Sequence, residues 1–239
     1  MFQIKICGVT TAADARLVAE AGADCIGLNF VAGSPRRLTL AAAQDVAAAI
    51  PAGVLRVGVF AGSPAADILR VVASVGLGAV QLHGHLQPTG SDGERLVWDP
   101  PSLCGELGGV PIIRAVRLQG PPASDGLAAA RAWLEAAAAG GNCPAMGICD
   151  AAVERAAPAG QLGGTGAVVD WSLLVASGGL GIPMALAGGL TPQNVAAAIR
   201  ATGLHAVDTA SGVELAPGRK DAERVREFVA AARGALGIG

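Results

Sequence analysis

The sequence predicts an α/β fold, a single-domain (βα)8 TIM barrel that takes up residues 1–239. Eight short runs of apolar and β-branched residues are spaced along the chain, and seven of them are followed by a helical pattern or by a segment long enough for a helix. Both this count and the length of 239 residues are typical of one closed barrel. An open, doubly wound sheet fits less well, because the turn after the first run, CGVTTAAD, has a single glycine instead of a glycine-rich fingerprint.

Predicted helix starts are marked by a Ser, Thr or Asp that can cap the first turn, with Pro at the next position in two cases. Residues 86–110 are the weakest part of the pattern, because Gly, Pro and charged residues leave room only for a short helix at Glu94–Trp98. The predicted caps are Thr11, Ser63 with Pro64, and Thr191 with Pro192, and the last helix is predicted to start near Asp221. The predicted strands are residues 2–7, 25–30, 54–60, 78–83, 111–116, 145–149, 182–187 and 205–210.

The composition excludes several classes of function. With 17 Lys and Arg against 19 Asp and Glu, the net charge is -2 and the basic residues are scattered, which argues against nucleic acid as a partner. The start, MFQIKICG, is not a targeting segment, and no run of about 18 apolar residues is free of Gly or charge, so we expect a cytoplasmic protein without a membrane partner. Five cysteines without a CxxC pair or a nearby His predict neither a metal site nor a disulfide framework.

In a barrel of this kind the reactive groups lie at the carboxyl ends of the strands and in the loops that follow them. Lys5 and Cys7 share one strand face, with Cα atoms roughly 7 Å apart, and a cation near a thiol favours the thiolate. Taken alone, a single cysteine is more often a buried apolar filler than a reactive group. The polar residues expected at the mouth of the barrel are Cys7, Asn29, Arg36, His83, Arg114, Asp150, Asp208 and Ser211.

Three glycine-rich turns predict a phosphate site. They are GGTG at 163–166, AGGL at 187–190 and ASGVE at 210–214. Glycine lets backbone N–H groups approach a phosphate closely, and the seventh and eighth loops of such barrels often bind one. One turn alone is weak evidence, because any left-handed position favours glycine, but three consecutive loops indicate a phosphorylated small molecule as ligand. Asp170, in VVDWS, is interpreted as a helix cap.

An ordered set of motifs resembles the phosphoribosylanthranilate isomerase family of tryptophan biosynthesis. The resemblance runs from about residue 3 to about residue 228, and its motifs are highly specific as a set. They are KICG at 5–8, GLNFVAGSPR at 27–36, VGVF at 57–60, VQLHG at 80–84, GGTGAVVDWSLL at 163–174, LAGGLTPQNV at 186–195 and VDTASGVELAPGRKD at 207–221.

The resemblance implies a role for each matching residue. Cys7 corresponds to the general base and Asp150 to the general acid of an Amadori rearrangement that uses neither a cofactor nor a metal. Arg36 corresponds to the residue that holds the anthranilate carboxylate, and His83 and Asp208 are expected to bind the substrate. The implied phosphate-binding residues are Gly164, Gly166, Gly188, Gly189, Ser211 and Gly212. The protein is expected to act as a monomer or homodimer on a phosphorylated anthranilate substrate.

Two departures from the family pattern affect a loop more than the reaction type. Residues 151–162 are about five residues longer than the usual connection, and Leu162 stands where an aromatic residue is common.

Two alternative functions stay open at this point. One is another phosphosugar isomerase or epimerase, although the chain has no His and Asp cluster for the metal of an epimerase. The other is a barrel that binds phosphosugars without catalysis, which would be expected to have lost Cys7 or Asp150.

Overall fold

Eight parallel strands close into a barrel in chain order, which confirms the predicted fold class. The computed structural model describes residues 1–89, 97–117, 124–150 and 180–238, and only the backbone of Ser124, Asp125 and Asp150. The strands are β1 Ile4–Cys7, β2 Cys25–Asn29, β3 Leu55–Phe60, β4 Ala79–Leu82, β5 Ile112–Arg117, β6 Met146–Asp150, β7 Met184–Ala187 and β8 Val207–Thr209.

Helices follow the strands and cover the outside of the barrel, as the alternating pattern predicts. Those in the described residues are α1 Ala12–Glu20, α2 Leu40–Ala48, α3 Ala65–Val75, α4 Leu103–Glu106, α5 Ser124–Ala139, α6 Val195–Thr202 and α7 Ala222–Leu236. A 3-10 turn at Ser211–Val213 and a short antiparallel hairpin, β9 Glu214–Ala216 and β10 Arg219–Lys220, lie between β8 and α7. None of the described helices is both long and apolar enough to cross a membrane.

The strands are apolar on both faces because one face fills the barrel and the other packs against helices. In β1, Ile4 and Ile6 belong to the large cluster that also contains buried residues of the helices. Lys5, between them, is also fully buried, on the opposite face of the strand. Its Cα partner on β8 is Asp208, so the barrel closes at a pair of charged residues.

The predicted cap Thr11 is confirmed, and so is the predicted start of the last helix near Asp221. Thr11 accepts a hydrogen bond from the Asp14 amide at the start of α1, and Asp221 accepts from the amides of Glu223 and Arg224 at the start of α7. The cap of α3 is one residue later than expected, because Pro64 takes the cap position and makes no side-chain cap hydrogen bond. The prediction of Ser63 as cap was therefore wrong.

The predicted start of α6 at Thr191 and Pro192 was also wrong. Asn194 is the cap, and its side chain instead closes a local turn, since Oδ1 accepts from the Thr191 amide at 2.7 Å. The end of this helix at Gly203 agrees with the prediction, because Gly203 adopts the left-handed conformation with φ of 67°.

The sequence predicts a short helix at Glu94–Trp98. Residues 94–96 lie outside the described residues, and residues 97–98 are not helical. Trp98 forms a parallel bridge with His85 instead. The short helix of this region is α4, where the amides of Leu103 and Cys104 donate to the carbonyls of Pro100 and Pro101. Two prolines in sequence provide the fixed φ that a helical first turn needs.

Arg114 does not lie inside the mouth of the barrel, contrary to expectation, but reaches the loop after β4 from the helix side of the strands. Its guanidinium is buried outside the strands, 4.7 Å from the Trp133 ring centre on α5. It donates to the carbonyls of Leu82, Gly84 and His85 at 2.6, 2.8 and 2.9 Å. Burial lowers the pKa of Arg114 to about 10, although the nearby Asp99 opposes that shift.

Asp99 holds two loops of the mouth together. Its carboxylate lies 3.5 Å from the Arg114 guanidinium, with both side chains fully buried. Its two oxygens accept hydrogen bonds from the amides of Gly62 and Gly84, each at 2.6 Å. The loops after β3 and β4 are therefore fixed by one buried carboxylate.

Replacing Asp99 with Ala is expected to lower the free energy of unfolding by about 3–5 kcal/mol, because it leaves the buried Arg114 charge and the amides of Gly62 and Gly84 without their partner. Urea denaturation measures this. Asp67→Ala is the control, since Asp67 pairs with Arg70 on the surface, with side chains 57% and 69% exposed, and its loss should change stability little. Equal effects of the two substitutions would contradict the account.

Candidate functional site

The sulfur of Cys7 and the ammonium of Lys5 are close neighbours at the end of β1. Cys7 is the last residue of the strand and is partly exposed, whereas Lys5 is fully buried. A Cβ atom at Gly27, the Cα partner of Cys7 on β2, would lie 2.7 Å from the sulfur and 3.1 Å from the Lys5 nitrogen. The absence of a side chain at Gly27 therefore leaves the space that both groups occupy.

Lys5 and Asp208 form a buried ion pair below this thiol. The Lys5 nitrogen donates to Asp208 Oδ1 at 2.9 Å. Burial is the largest single effect on the pKa of Lys5 and lowers it, but the charges of Asp208, Cys7 and Cys25 and the hydrogen bond to Asp208 together outweigh it, so the net shift is upward. Burial raises the pKa of Asp208, and the charge of Lys5 opposes this. Asp208 Oδ2 makes no hydrogen bond with a described residue, so the carboxylate keeps one oxygen for another donor.

Asp150 is the last residue of β6, at the same end of the barrel as Cys7. Its Cα atom is in register with Arg117 on β5 and with Ala187 on β7. The pairing of Leu186 with Val207 sets the register of β7 against β8, so Ala187 lies level with Asp208. The two strand ends with the candidate catalytic residues are therefore separated by β7 and β8 only. The side chain of Asp150 lies outside the described part of the structure.

Arg36 lies in the loop after β2, where its stem packs across the turn that follows Cys7. A Cβ atom at Gly8, where φ is 70°, would be 2.3 Å from Arg36 Cδ, so this turn needs glycine both for its conformation and for the contact. The guanidinium is largely buried and pairs with Glu214. Nε donates to Glu214 Oε1 at 2.9 Å and Nη2 donates to Oε2 at 2.6 Å.

The β9–β10 hairpin brings two charges of opposite sign to the same place. Lys220 on β10 donates to Glu214 Oε1 at 2.8 Å and to the carbonyl oxygen of Cys7 at 2.6 Å. Burial tends to raise the pKa of Glu214, but Arg36 and Lys220 outweigh it, and the net shift is downward. Glu214 is therefore ionised at neutral pH, and the hairpin is tied to the end of β1.

His83 follows β4 and is partly buried. Its Nδ1 lies 3.2 Å from Gln81 Nε2, and its carbonyl accepts a hydrogen bond from Arg117 at 2.7 Å. Its own amide donates to the Phe60 carbonyl on the neighbouring strand at 2.7 Å. The backbone of His83 is thus anchored at the rim by β3 and β5, and its ring contacts Gln81 of β4.

The glycine turns after β7 and β8 meet at close range. Gly188 and Gly189 have φ of 85° and 63°. A Cβ atom at Gly212 would lie 1.8 Å from the Leu190 carbonyl oxygen, which leaves glycine as the residue that fits there. Among the described residues, no hydrogen bond has the amide of Gly189, Ser211 or Gly212 as donor. Gly164 and Gly166, with the predicted cap Asp170, lie outside the described residues.

Sequence reasoning did not identify Glu214 and Lys220 as part of the site. From the sequence, this region is interpreted through the ASGVE turn at 210–214 and the family motif at 207–221. The signal that could have revealed the hairpin is the Pro-Gly pair at 217–218, which lies between the two short strands. Within the described ranges, no three His, Cys, Asp or Glu side chains come together as a metal site would require.

The architecture is that of a (βα)8-barrel enzyme with its polar groups gathered at one mouth, and known proteins of similar sequence narrow the class. The family model for N-(5'phosphoribosyl)anthranilate (PRA) isomerase matches residues 4–93 and 138–231. An N-(5'-phosphoribosyl)anthranilate isomerase of Myxococcus xanthus is 41% identical over 97% of this chain and 96% of that protein. The corresponding protein of Rubrobacter xylanophilus is 38% identical over 98% of this chain and all of its own.

Solved structures agree with the sequence comparison. The phosphoribosyl anthranilate isomerase of Thermotoga maritima has a TM-score of 0.78 at 31% identity and covers 98% of this chain and 100% of its own. Another such isomerase, in complex with reduced 1-(o-carboxyphenylamino)-1-deoxyribulose 5-phosphate, has a TM-score of 0.76 at 30% identity, with the same coverage. The chain belongs to the N-(5'-phosphoribosyl)anthranilate isomerase family, and its role is that of an isomerase in tryptophan biosynthesis.

Replacing Lys5 with Met is expected to lower the free energy of unfolding by about 3–5 kcal/mol at pH 7, because it leaves the Asp208 charge buried without a partner. Without Lys5, burial holds the folded pKa of Asp208 above its ordinary value of 3.8. The folded state then binds the proton more tightly than the unfolded state, so the loss relative to the unsubstituted protein grows as pH rises above that value.

Urea denaturation at pH 4 and pH 7 measures this difference. The double variant Lys5→Met with Asp208→Asn is the control, since it has no buried carboxylate and its loss should be the same at both pH values. A single variant whose loss is also independent of pH would contradict the ion pair.

Proposed function

We propose that this chain converts N-(5-phosphoribosyl)anthranilate to 1-(2-carboxyphenylamino)-1-deoxyribulose 5-phosphate, with Cys7 as general base and Asp150 as general acid. The proposal depends above all on two strand ends: Cys7 ends β1 and Asp150 ends β6, at the same mouth of the barrel. An Amadori rearrangement needs a general acid and a general base on one substrate, and a carboxyl group and a thiolate can take these two roles.

The reaction needs one proton given and one taken. Asp150 protonates the ring oxygen of the ribose, the bond from that oxygen to the anomeric carbon breaks, and the nitrogen lone pair forms an iminium. The thiolate of Cys7 then removes the proton from C2', and the electron pair neutralises the iminium to give an enolamine. The enolamine tautomerises to the ketone, so no cofactor takes part in the balance. Lys5 places a buried positive charge beside the sulfur.

Arg36, His83 and Asp208 hold the substrate in this scheme. A guanidinium grips a carboxylate through two parallel N–H donors, which suits Arg36 to the anthranilate carboxylate. Asp208 Oδ2, which has no partner among the described residues, accepts from a sugar hydroxyl. His83 lies at the rim after β4 and contributes a ring nitrogen.

The phosphate binds to the glycine turns. The amides of Gly188, Gly189, Ser211 and Gly212 supply donors from the loops after β7 and β8, and Gly164 and Gly166 from the preceding loop are expected to add theirs. The protein acts as a monomer or a homodimer. One solved structure is of monomers generated from the dimeric phosphoribosylanthranilate isomerase of Thermotoga maritima.

Replacing Cys7 with Ala or Asp150 with Asn is expected to lower kcat by about 10²- to 10⁴-fold each, because each removes one proton-transfer step. The loss of anthranilate fluorescence as substrate is consumed measures the rate. Cys143→Ala is the matched control, since Cys143 is exposed and precedes the amino end of β6, whereas Asp150 is at the carboxyl end of that strand. Full turnover by Cys7→Ala would refute the assignment of Cys7 as general base, although the proposed isomerase activity could still be correct.

Replacing Arg36 with Lys is expected to raise KM about tenfold or more and to change kcat less, because one charge remains but the two-point grip on the carboxylate is lost. The neighbouring Arg37→Lys is the matched control, since Arg37 is exposed. An unchanged KM in Arg36→Lys would remove this residue from the carboxylate site.

A further inference from the structure

Glu214 is a buried carboxylate next to the site that the proposed chemistry leaves without a role. It is 6% exposed, and its partners are two basic side chains, Arg36 and Lys220. Its Oε1 also accepts from the Gly218 amide at 3.2 Å, so both of its oxygens are engaged. Because these contacts hold the Glu214 carboxylate in place, it can set the orientation of a side chain that binds to it.

Glu214 binds some of the N–H donors of the Arg36 guanidinium and leaves the others open. A guanidinium has five N–H donors: one on Nε and two on each terminal nitrogen. Glu214 takes the edge formed by Nε and Nη2, at 2.9 and 2.6 Å. Both hydrogens of Nη1 and one of Nη2 form no hydrogen bond with a described residue. One edge of the guanidinium is thus occupied within the protein, and the other edge is open.

We propose that Glu214 is a positioning residue for substrate recognition: it occupies the inner edge of Arg36 and thereby presents the outer edge, Nη1 with the remaining Nη2 hydrogen, to the carboxylate of the substrate. This inference rests on the proposed function, because it takes Arg36 to be the carboxylate-binding group. It adds a residue that touches no substrate atom and acts through Arg36.

The position of Glu214 is itself fixed by the hairpin. Lys220 Nζ donates to Glu214 Oε1 at 2.8 Å and also to the carbonyls of Cys7 and Ala210 at 2.6 and 3.2 Å. Arg224, on α7, donates to the Glu214 carbonyl at 2.8 Å. The carboxylate is therefore anchored from β1, from the loop after β8 and from the last helix.

This arrangement couples the base to the carboxylate site. Lys220 links the backbone of Cys7 to Glu214, and the stem of Arg36 packs on Gly8, the residue after Cys7. The distance between the proton-accepting sulfur and the guanidinium is thus set by contacts within the protein before a substrate arrives. Such preorganisation reduces the ordering that binding must impose on long side chains.

A pair of ligands tests the proposal. The first is reduced 1-(o-carboxyphenylamino)-1-deoxyribulose 5-phosphate, and the second is the same compound without the ring carboxylate. In Glu214→Gln the amide group faces an arginine N–H where an oxygen was, so Arg36 loses its fixed orientation. The dissociation constant of the carboxylate ligand is expected to rise about tenfold, whereas that of the second ligand should change less than about twofold. Titration calorimetry measures both.

Controls separate a positioning role from a structural one. Glu223→Gln makes the same change of charge nearby, at an exposed position, and should alter neither dissociation constant. Glu214→Gln with Lys220→Met keeps the net charge of the cluster and provides a second test if the single variant does not fold. Equal weakening of both ligands in a folded variant, or no weakening of either, would overturn the proposal.

The unsubstituted protein offers a test without any substitution. In a crystal structure with the carboxylate ligand, Glu214 should retain Nε and Nη2 of Arg36 while the ligand carboxylate meets Nη1. A ligand carboxylate on the Nε edge, with Glu214 displaced, would overturn the proposal. An unsubstituted protein that does not isomerise the substrate would instead refute the proposed function, so the two failures are distinguishable.

Discussion

The ion pair between Lys5 and Asp208 is the constraint on which the rest of the site depends. It joins the first strand to the last at the seam where the barrel closes, with the lysine fully buried. A buried ammonium is stable only with a partner, so Asp208 must lie where it does, and the space left by Gly27 brings the Cys7 sulfur beside the same charge. Lys5 therefore has two roles: it joins β1 to β8 where the barrel closes, and it is the charged neighbour of the Cys7 thiol.

Around this seam, buried charges are satisfied in small groups, each of which ties loops of the mouth to one another. Asp99 and Arg114 fix the loops after β3 and β4. Glu214, with Arg36 and Lys220, fixes the loop after β2 and the hairpin after β8. Ordering a long, flexible side chain when a ligand binds costs free energy. In this protein such side chains are already ordered in the folded state.

Local pattern was enough for the fold and for residues at strand ends. The alternation of strands and helices predicts the barrel, and parallel strands bring their carboxyl ends to one mouth, so Cys7 and Asp150 could be assigned to the same face from sequence. Glu214 could not, because its partners Arg36 and Lys220 are brought to it by the closure of β8 on β1 and by a two-stranded hairpin. Arg114 was misassigned for a related reason: it is the third residue of β5, where side chains on one face meet α5 rather than the interior.

Selective alkylation tests most directly whether the Cys7 thiol takes part in catalysis at the mouth of the barrel. The protein is treated with iodoacetamide, with and without the reduced product analogue, and modified peptides are identified by mass spectrometry as activity falls. The account predicts that activity falls in step with modification of the partly exposed Cys7, that the analogue protects it, and that the buried Cys25 is not modified. Full activity with Cys7 fully alkylated would contradict it.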